Sequence, residues 1–350
     1  MNYTAQELLQ EMVTREGSDL HLAANNSPSL RVHGLLAPMV DFPVLTPEDT
    51  AELIGQLVTE REFDALIKTG ELDSAISLEG GYRLRINAYR QDDSLAAALR
   101  LLPNKFFPFE KLGLPMNVLE SITKLHSGLI LVTGATSSGK STTIASIINE
   151  INKVRPCHIH TIEDPVEYKH VSKKAFVTQR EVGRDTENFA EALRRSMRQD
   201  PDIIVVGEMR DLETMSAALT LAETGHLTFA TLHTSSAIQT VSRVISSYPA
   251  SQQAQTRIQL ASTLQYVICQ QLIPWDNGKG RSLAAEILVA NDAVRAMIRE
   301  EKTHQIKTAM QTNYNLGMRT MNQSLQAIID SKKINKKNAA EFSEAPKELQ

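Results

Sequence analysis

The stretch Gly134-Ala135-Thr136-Ser137-Ser138-Gly139-Lys140-Ser141 decides the fold, because its spacing is that of a phosphate-binding loop, G-x-x-x-x-G-K-[ST]. It follows an apolar run at 129–133, which is typical of a buried strand. The residues after the loop are compatible with a helix. A strand, a glycine-rich loop and a helix in this order predict a site for ATP or GTP in an α/β domain.

Each residue type in this loop has a role in holding phosphate. The two glycines let the backbone turn without a Cβ clash, so that successive N–H groups and the start of the next helix point at phosphate. The lysine supplies positive charge for the β- and γ-phosphates, and the Ser141 hydroxyl is placed to ligate Mg²⁺. We therefore expect a site for ATP and Mg²⁺ made by Gly134, Ala135, Thr136, Ser137, Ser138, Gly139, Lys140, Ser141 and Thr142.

Three more apolar runs are typical of short buried strands, and they lead into Glu163, Glu208 and His233. The ligand crevice of an open parallel sheet lies at the carboxyl ends of its strands, so carboxylates there can reach Mg²⁺ or the attacking water. A histidine at the same edge can sense the γ-phosphate. Taken singly, such residues are more often caps or surface residues, and the preceding phosphate loop favours the catalytic interpretation. The runs are 159–162, 203–206 and 227–232.

These motifs together resemble the PilT family of type IV pilus retraction ATPases, within the secretion ATPase superfamily. Residues 161–168 resemble the aspartate box of that family, 198–211 its atypical Walker B segment and 223–234 its histidine box. Residues 293–300 resemble its AIRNLIRE helix, which is tied to retraction. The resemblance implies an α/β fold of two domains: an N-terminal mixed α/β, PAS-like domain and a C-terminal RecA-like ATPase domain with a helical end.

The resemblance also implies a function. It implies a homohexameric motor that hydrolyses ATP to retract a type IV pilus in twitching motility, at the cytoplasmic side of the inner membrane. The implied partners are an inner-membrane pilus platform protein and, optionally, a paralogous pilus ATPase.

The catalytic roles are assigned by the same comparison of motifs. Glu163 and Glu208 would share the polarising of water and the organising of the metal, with Glu208 as a metal residue beside the loop serine. His233 would sense the γ-phosphate. Arg85 and Arg100, in the first domain, are the candidates for acting in trans on the nucleotide of a neighbouring subunit.

Two other functions stay open. A pilus-extension or type II secretion ATPase would share the phosphate loop, but such proteins usually carry a paired C-x-x-C metal module, and this chain has only Cys157 and Cys269. A nucleotide-gated scaffold without useful turnover would bind ATP and would not need two catalytic acids. Three positions depart from the family pattern: Ser137 replaces a usual glycine, Asn322 replaces a common aspartate, and His33 stands where aspartate is frequent.

Composition agrees with this interpretation without selecting it. A length of 350 residues suggests two domains, and a net charge of −4 argues against a dedicated nucleic-acid binder. Residues 1–10 lack the pattern of a secretory signal, and the chain has no apolar run of the roughly 20 residues that a membrane span needs. We therefore expect a cytoplasmic protein that contacts the inner membrane through partners, with no direct insertion.

Periodicity suggests where the domains lie. We expect an N-terminal domain over 1–102, a linker over 103–108 that its two prolines hold extended, and the ATPase domain over 109–350. Helical spacing is predicted for 249–267, and a solvated or disordered tail for about 338–350.

The segment that resembles the retraction helix is amphipathic. Val294 and Ile298 share one face with Met297, while Arg295 and Arg299 share another. A helix that packs on its own domain would show this pattern, and so would a helix that presents arginines to a partner. Both interpretations stay open.

Overall fold

The structure is a computed structural model that divides into two compact units, Met1–Lys105 and Phe106–Gln350. The predicted linker, 103–108, straddles this division, and its first two residues lie outside the described part of the chain. The residues that the structure describes are 3–32, 35–78, 82–102 and 105–350.

The first unit is a six-stranded antiparallel sheet with three helices packed on one face. Its helices are α1 (Ala5–Thr14), α2 (Pro47–Gly55) and α3 (Glu60–Thr69), and its strands are β1 (Gly17–Leu22), β2 (Ser29–Val32), β3 (Leu35–Pro38), β4 (Glu71–Ser77), β5 (Arg83–Gln91) and β6 (Ser94–Leu102). The strand order is β3-β2-β1-β6-β5-β4.

Local sequence explains the start of α1. The N–H of Thr4 donates to Oε2 of Glu7 at 2.6 Å, and the N–H of Glu7 donates to Oγ1 of Thr4 at 3.3 Å, so the two residues form a capping box. Leu8 and Met12, one turn apart, are then buried against the sheet. Capping and apolar spacing together place this helix on the core.

The second unit is built on a seven-stranded sheet that is parallel except for its last strand pair. The strands are β7 (Gly128–Thr133), β8 (His158–Glu163), β9 (Phe176–Glu181), β10 (Ile203–Val206), β11 (Leu227–Leu232), β12 (Leu264–Pro274) and β13 (Arg281–Val289). The helices are α4 (Met116–Lys124), α5 (Lys140–Val154), α6 (Phe189–Ser196), α7 (Leu212–Glu223), α8 (Ala237–Ser246), α9 (Ala250–Thr263), α10 (Asp292–Arg299), α11 (Ile306–Thr312), α12 (Met321–Asp330) and α13 (Lys336–Ala340). The strand order is β13-β12-β7-β11-β10-β8-β9.

Both faces of this sheet are covered, which explains why its central strands are continuous apolar runs. In β7, Leu129 and Leu131 belong to one core and Ile130 and Val132 to the other. All six residues of β7 are buried. Among the described residues, none of the helices has the length and apolar character needed to cross a bilayer.

The predicted helix over 249–267 is wrong in its last turn. The helix ends at Thr263, and Leu264 begins β12, which pairs with β7 in parallel. Leu264, Tyr266, Val267 and Ile268 fit a buried strand as well as they fit a helix face, so apolar spacing alone cannot place the boundary. Tertiary pairing decides it.

The expected solvated tail is also wrong, because the tail packs on the second unit. Leu349 is only 2% exposed and lies in a cluster with Leu325 and Ile334. Asn322 binds the tail from both ends of its amide: Nδ2 donates to the carbonyl of Ala345 at 2.9 Å, and Oδ1 accepts from Ser343 Oγ at 2.6 Å. The apolar residues of the tail are few and widely spaced, so its composition concealed this packing.

Candidate functional site

The phosphate loop connects β7 to α5 and has the backbone shape that its glycines predict. Gly134 and Gly139 have φ of +138° and +92°, in the left-handed region that favours glycine. A Cβ on Gly134 would clash with the carbonyl oxygen of Gln270 and would lie 2.6 Å from Ser138 Oγ. The loop therefore requires glycine at its first position, and it leads directly into the N-terminus of α5.

Ser137 has a φ of +64°, although it is not glycine. A residue with a Cβ is strained by about 1 kcal/mol or more in this conformation. This position is the one where the sequence departs from the glycine of the family pattern. The loop keeps its shape and carries the strain.

Lys140 extends back over the loop. Its Nζ donates to the carbonyl oxygens of Gly134 at 2.8 Å and Ala135 at 3.0 Å. Burial lowers the pKa of this lysine, while the charges of Glu208 and Glu167 act in the opposite direction. The ammonium and the N-terminus of α5 together supply positive potential, which suits a phosphate group.

Glu163 ends β8 and faces the same region as Ser141. Both border a cavity of about 40 Å³, together with Thr231. Burial raises the pKa of Glu163, although hydrogen bonds from Thr161 and Gln179 oppose that rise. A carboxyl group with a raised pKa is better matched to taking up a proton near neutral pH than an ordinary glutamate.

Glu208 follows β10 and has the opposite character. Its Oε2 accepts from Arg210 Nη2 at 2.8 Å, and its Oε1 lies 3.0 Å from His233 Nε2. Burial alone would raise the pKa of Glu208, but the hydrogen bond and charge of Arg210, with the charges of His233 and Lys140, hold it below its ordinary value. The two acids thus have pKa values pushed in opposite directions, which is how paired carboxyl groups take different roles.

The structure brings most of the predicted site residues together. The phosphate loop follows β7, and Glu163, Glu208 and His233 follow or end β8, β10 and β11, which are neighbours in the parallel sheet. They all lie at its carboxyl edge.

Arg85 and Arg100 belong to the first unit and are described within it. They are cross-strand neighbours on β5 and β6. Arg100 Nε donates to Asp19 Oδ1 at 2.7 Å, and Arg85 Nη2 lies 3.5 Å from Asp73 Oδ1. Both side chains are exposed, at 45% for Arg85 and 63% for Arg100.

Sequence reasoning missed several residues that contact the site. Arg210 was part of the Walker B resemblance but was given no role, although it binds Glu208. Gln179 lies on β9, a strand that was not predicted because apolar and polar residues do not alternate along it. Tyr168 places its hydroxyl 2.9 Å from Thr142 Oγ1, next to the phosphate loop. Its position in the aspartate-box resemblance was the available signal.

Comparison with known proteins now identifies the family. The family described as T2SSE, Type II/IV secretion system protein, matches residues 3–277. The chain belongs to this family. The resemblance inferred from the motifs is confirmed, and so is the two-domain ATPase fold.

Several members of this secretion ATPase family are similar over nearly their full length. The chain is 43% identical over 340 residues to the type IV pilus retraction ATPase PilT of Pseudomonas aeruginosa, covering 97% of this chain and 98% of that protein. It is 36% identical over 344 residues to the type IV pilus ATPase PilU of the same organism, covering 98% and 90%. A crystal structure of the pilus retraction motor PilT with bound ADP matches with a TM-score of 0.93 at 47% identity, covering 99% of each chain.

Proposed function

We propose that this protein is an ATP-hydrolysing motor that powers retraction of a type IV pilus. The observation that carries the proposal is its likeness, with a TM-score of 0.93 over 99% of each chain, to a retraction motor that was solved with ADP. The site supports it independently, because an intact phosphate loop lies beside two carboxyl groups with opposite pKa shifts.

The binding step follows from the loop. Lys140 would exchange its two loop carbonyls for the β- and γ-phosphates, which offer full negative charge. Ser141 and Glu208 fit Mg²⁺, since hydroxyl and carboxylate oxygens are the ligands that this ion takes and Arg210 keeps Glu208 ionised. When bound, Mg²⁺ neutralises charge on the phosphate oxygens.

The hydrolytic step assigns different roles to the two acids. Glu163 accepts the proton of the attacking water, because its raised pKa matches that task. Glu208 stays ionised and holds His233 through the 3.0 Å contact. His233 is thereby placed to respond to the γ-phosphate, whose presence competes with Glu208 for its N–H.

We further propose a homohexamer in which Arg85 and Arg100 act in trans on a neighbouring subunit. This proposal is supported by the exposure of both arginine side chains. Each arginine pairs with a carboxylate of its own sheet, Asp73 or Asp19, and a phosphate group is a stronger partner that could displace that carboxylate. The cytoplasmic location, the membrane platform partner and a paralogous motor of the PilU kind belong to the same proposal.

Phosphate release by the purified chain tests the enzyme. Lys140→Ala should abolish it, because the main counter-charge for phosphate is lost. Lys153→Ala removes an exposed lysine of the same helix, which pairs with Glu150, and should not abolish it. Normal turnover by Lys140→Ala would contradict the assignment. No phosphate release by the unaltered chain, with ATP still bound, would favour the nucleotide-gated scaffold.

Mixed rings test the shared site. Lys140→Ala and Arg100→Ala should each be inactive alone, and a mixture should recover part of the activity, because one interface can combine an intact loop with an intact arginine. No recovery at any ratio, with mixed assembly verified, would count against catalysis in trans.

The direction of the force on the pilus has to be tested in living cells. Long pili that do not retract in a deletion strain support retraction, and bald cells favour an extension motor.

A further inference from the structure

Two side-chain donors converge on one oxygen of the Glu163 carboxylate. The backbone of Glu167 also hydrogen-bonds to this carboxylate, while the charge of Glu167 acts to raise the pKa of Glu163. Thr161 Oγ1 donates to Glu163 Oε1 at 2.6 Å, and Gln179 Nε2 donates to the same atom at 3.2 Å. The carboxylate cannot rotate about its last bond without breaking both hydrogen bonds.

Backbone geometry explains why these two side chains meet there. Thr161 and Glu163 are two residues apart on β8, so they lie on the same face of the strand. Gln179 is the register partner of Thr161 on the neighbouring strand β9. The sheet itself therefore delivers both donors to Glu163.

Gln179 is itself fixed, which makes it a rigid support. Its Nε2 also donates to the carbonyl of Tyr168 at 2.9 Å, and its Oε1 accepts from the N–H of His170 at 2.7 Å. Because the N–H of His170 must meet an acceptor, it fixes the oxygen of the Gln179 amide on its side, and the NH₂ group of the amide therefore faces Glu163. A carboxylate at this position would have no proton to offer Glu163, and an apolar side chain would hold neither group.

We propose that Thr161 and Gln179 are positioning residues, which orient the Glu163 carboxylate so that it can take a proton from the attacking water. This inference rests on the proposed function, in which Glu163 is the base. Both side chains act through Glu163 and need not touch the nucleotide. They also stabilise the ionised form of the acid, since a hydrogen bond to a carboxylate favours its charge.

The decisive comparison is Thr161→Val against Thr161→Ser. Valine keeps the branched shape and loses the donor, while serine keeps the donor. Thr161→Val should lower kcat by at least about tenfold with the KM for ATP changed little, because a misplaced catalytic group costs rate and not binding. In the pH profile of kcat for Thr161→Val, the acid limb should also move to higher pH, because one fewer hydrogen-bond donor stabilises the ionised form of Glu163. Thr161→Ser should stay close to wild type in both respects.

Gln179→Leu should show the same two changes, and Thr178→Val is its control. Thr178 is the adjacent residue on β9, and its hydroxyl contacts His158 and His160. Its loss should alter stability and leave the pH profile of kcat in place. Gln179→Leu also loses the Tyr168 and His170 contacts, so thermal unfolding and binding of a fluorescent ADP analogue are measured on every variant. The Thr161 pair decides the question if Gln179→Leu does not fold.

Glu163→Gln separates this inference from the function on which it rests. If Glu163→Gln is inactive while Thr161→Val keeps the kcat and pH profile of wild type, the positioning role is overturned and Glu163 remains the base. If Glu163→Gln turns over normally, the proposed base is wrong. Loss of kcat with a shifted acid limb in Thr161→Val, restored by Thr161→Ser, supports the positioning role.

Discussion

Oε1 of Glu208 lies 3.0 Å from Nε2 of His233, so the acid after β10 and the imidazole after β11 form one unit. Arg210 holds the other carboxylate oxygen at 2.8 Å. A change in the position of His233 would therefore alter the surroundings of Glu208, the residue that we assign to Mg²⁺. In the proposed function, where His233 senses the γ-phosphate, this contact would connect that phosphate to the residue after the adjacent strand.

We predict that Glu208→Gln separates binding from hydrolysis. Glutamine keeps the shape of the side chain but loses its charge, so ATP should still bind, while turnover should fall by about 10²–10³-fold because the lost interaction acts in the transition state. Isothermal titration with a nonhydrolysable ATP analogue and steady-state phosphate release measure the two effects. Glu213→Gln removes an exposed acid of α7 and is the matched control. An equal loss of affinity and turnover would assign Glu208 a different role.

Ser137→Gly should stabilise the fold, whereas the same change at Thr136 should not. Glycine relieves the strain of a φ of +64° at Ser137, and this gain exceeds its cost in unfolded-chain entropy, giving up to about 1 kcal/mol in the free energy of unfolding. Thr136 does not have a positive φ, so Thr136→Gly should lower stability by about 0.5–1 kcal/mol. Urea unfolding of both variants makes the comparison. A loss of stability in both would show that Ser137 is unstrained.

The candidate site shows which features the sequence can predict and which it cannot. The loop, Glu163 and His233 were predictable because each signal is local: a short apolar run followed by a polar residue of the right type. The contact between Gln179 and Glu163 depends on the pairing of β8 with β9, and no local pattern marks that pairing. The start of β12 at Leu264 was missed for a similar reason, since its apolar residues satisfy two periodicities and the contact with β7 chooses between them.

Arg295 should contribute to stability, although it shares a face of α10 with exposed Arg299 and not with buried Val294. Its Nη1 donates to the carbonyls of Ala261 at 2.6 Å and Ser262 at 2.8 Å, at the C-terminus of α9. Arg295→Ala would leave these last-turn carbonyls without their charged donor and should lower the free energy of unfolding by about 1–3 kcal/mol. Arg299 is exposed, so Arg299→Ala should change it by less than about 0.5 kcal/mol. Chemical unfolding of both variants is the measurement.

The interaction role of α10 now rests on Arg299. Val294 and Ile298 are buried in the core of the second unit, so the helix packs on its own domain. If it also couples hydrolysis to retraction, Arg299→Ala should keep its ATPase rate within a few-fold of wild type and fail to retract pili. Normal retraction by this variant would leave packing as the only role of the helix.

Asn322→Asp should release the C-terminal tail, even though aspartate is common there in the family pattern. The amide Nδ2 donates to the carbonyl of Ala345 and, at 3.1 Å, to Oε2 of Glu348. A carboxylate cannot donate and would repel Glu348, so we expect a loss of about 1–3 kcal/mol and faster proteolysis after α12. Asn277→Asp is the control, because Asn277 uses its oxygen to accept from Lys279 and an aspartate can do the same. Equal proteolysis of the two variants would contradict the role of the amide.

Stability should fall as the pH drops from about 6.5 to 4, because two histidines are held neutral in the fold. Burial, with the charges of His158 and Arg180, lowers the pKa of His160 to about 4, and burial with the charge of Lys173 lowers that of His170 to about 4. His160 is 2% exposed, and its Nδ1 is 2.7 Å from Thr178 Oγ1. Between these pH values the unfolded chain binds protons that the folded chain does not, so each histidine contributes a slope of up to about 1.4 kcal/mol per pH unit.

Replacing one of these histidines should flatten that dependence. The stability from a depressed histidine pKa is fully present above pH 6.5, the ordinary value, and is lost as the pH falls toward 4. His160→Gln removes the titrating group and keeps a side chain of similar length, so the difference in unfolding free energy between pH 7 and pH 5 should shrink by about 2 kcal/mol. His304→Gln, at an exposed position, controls for the loss of a histidine. If both variants keep the wild-type slope, His160 does not titrate below its ordinary range, and the acid sensitivity must arise from carboxylates that are paired in the folded state.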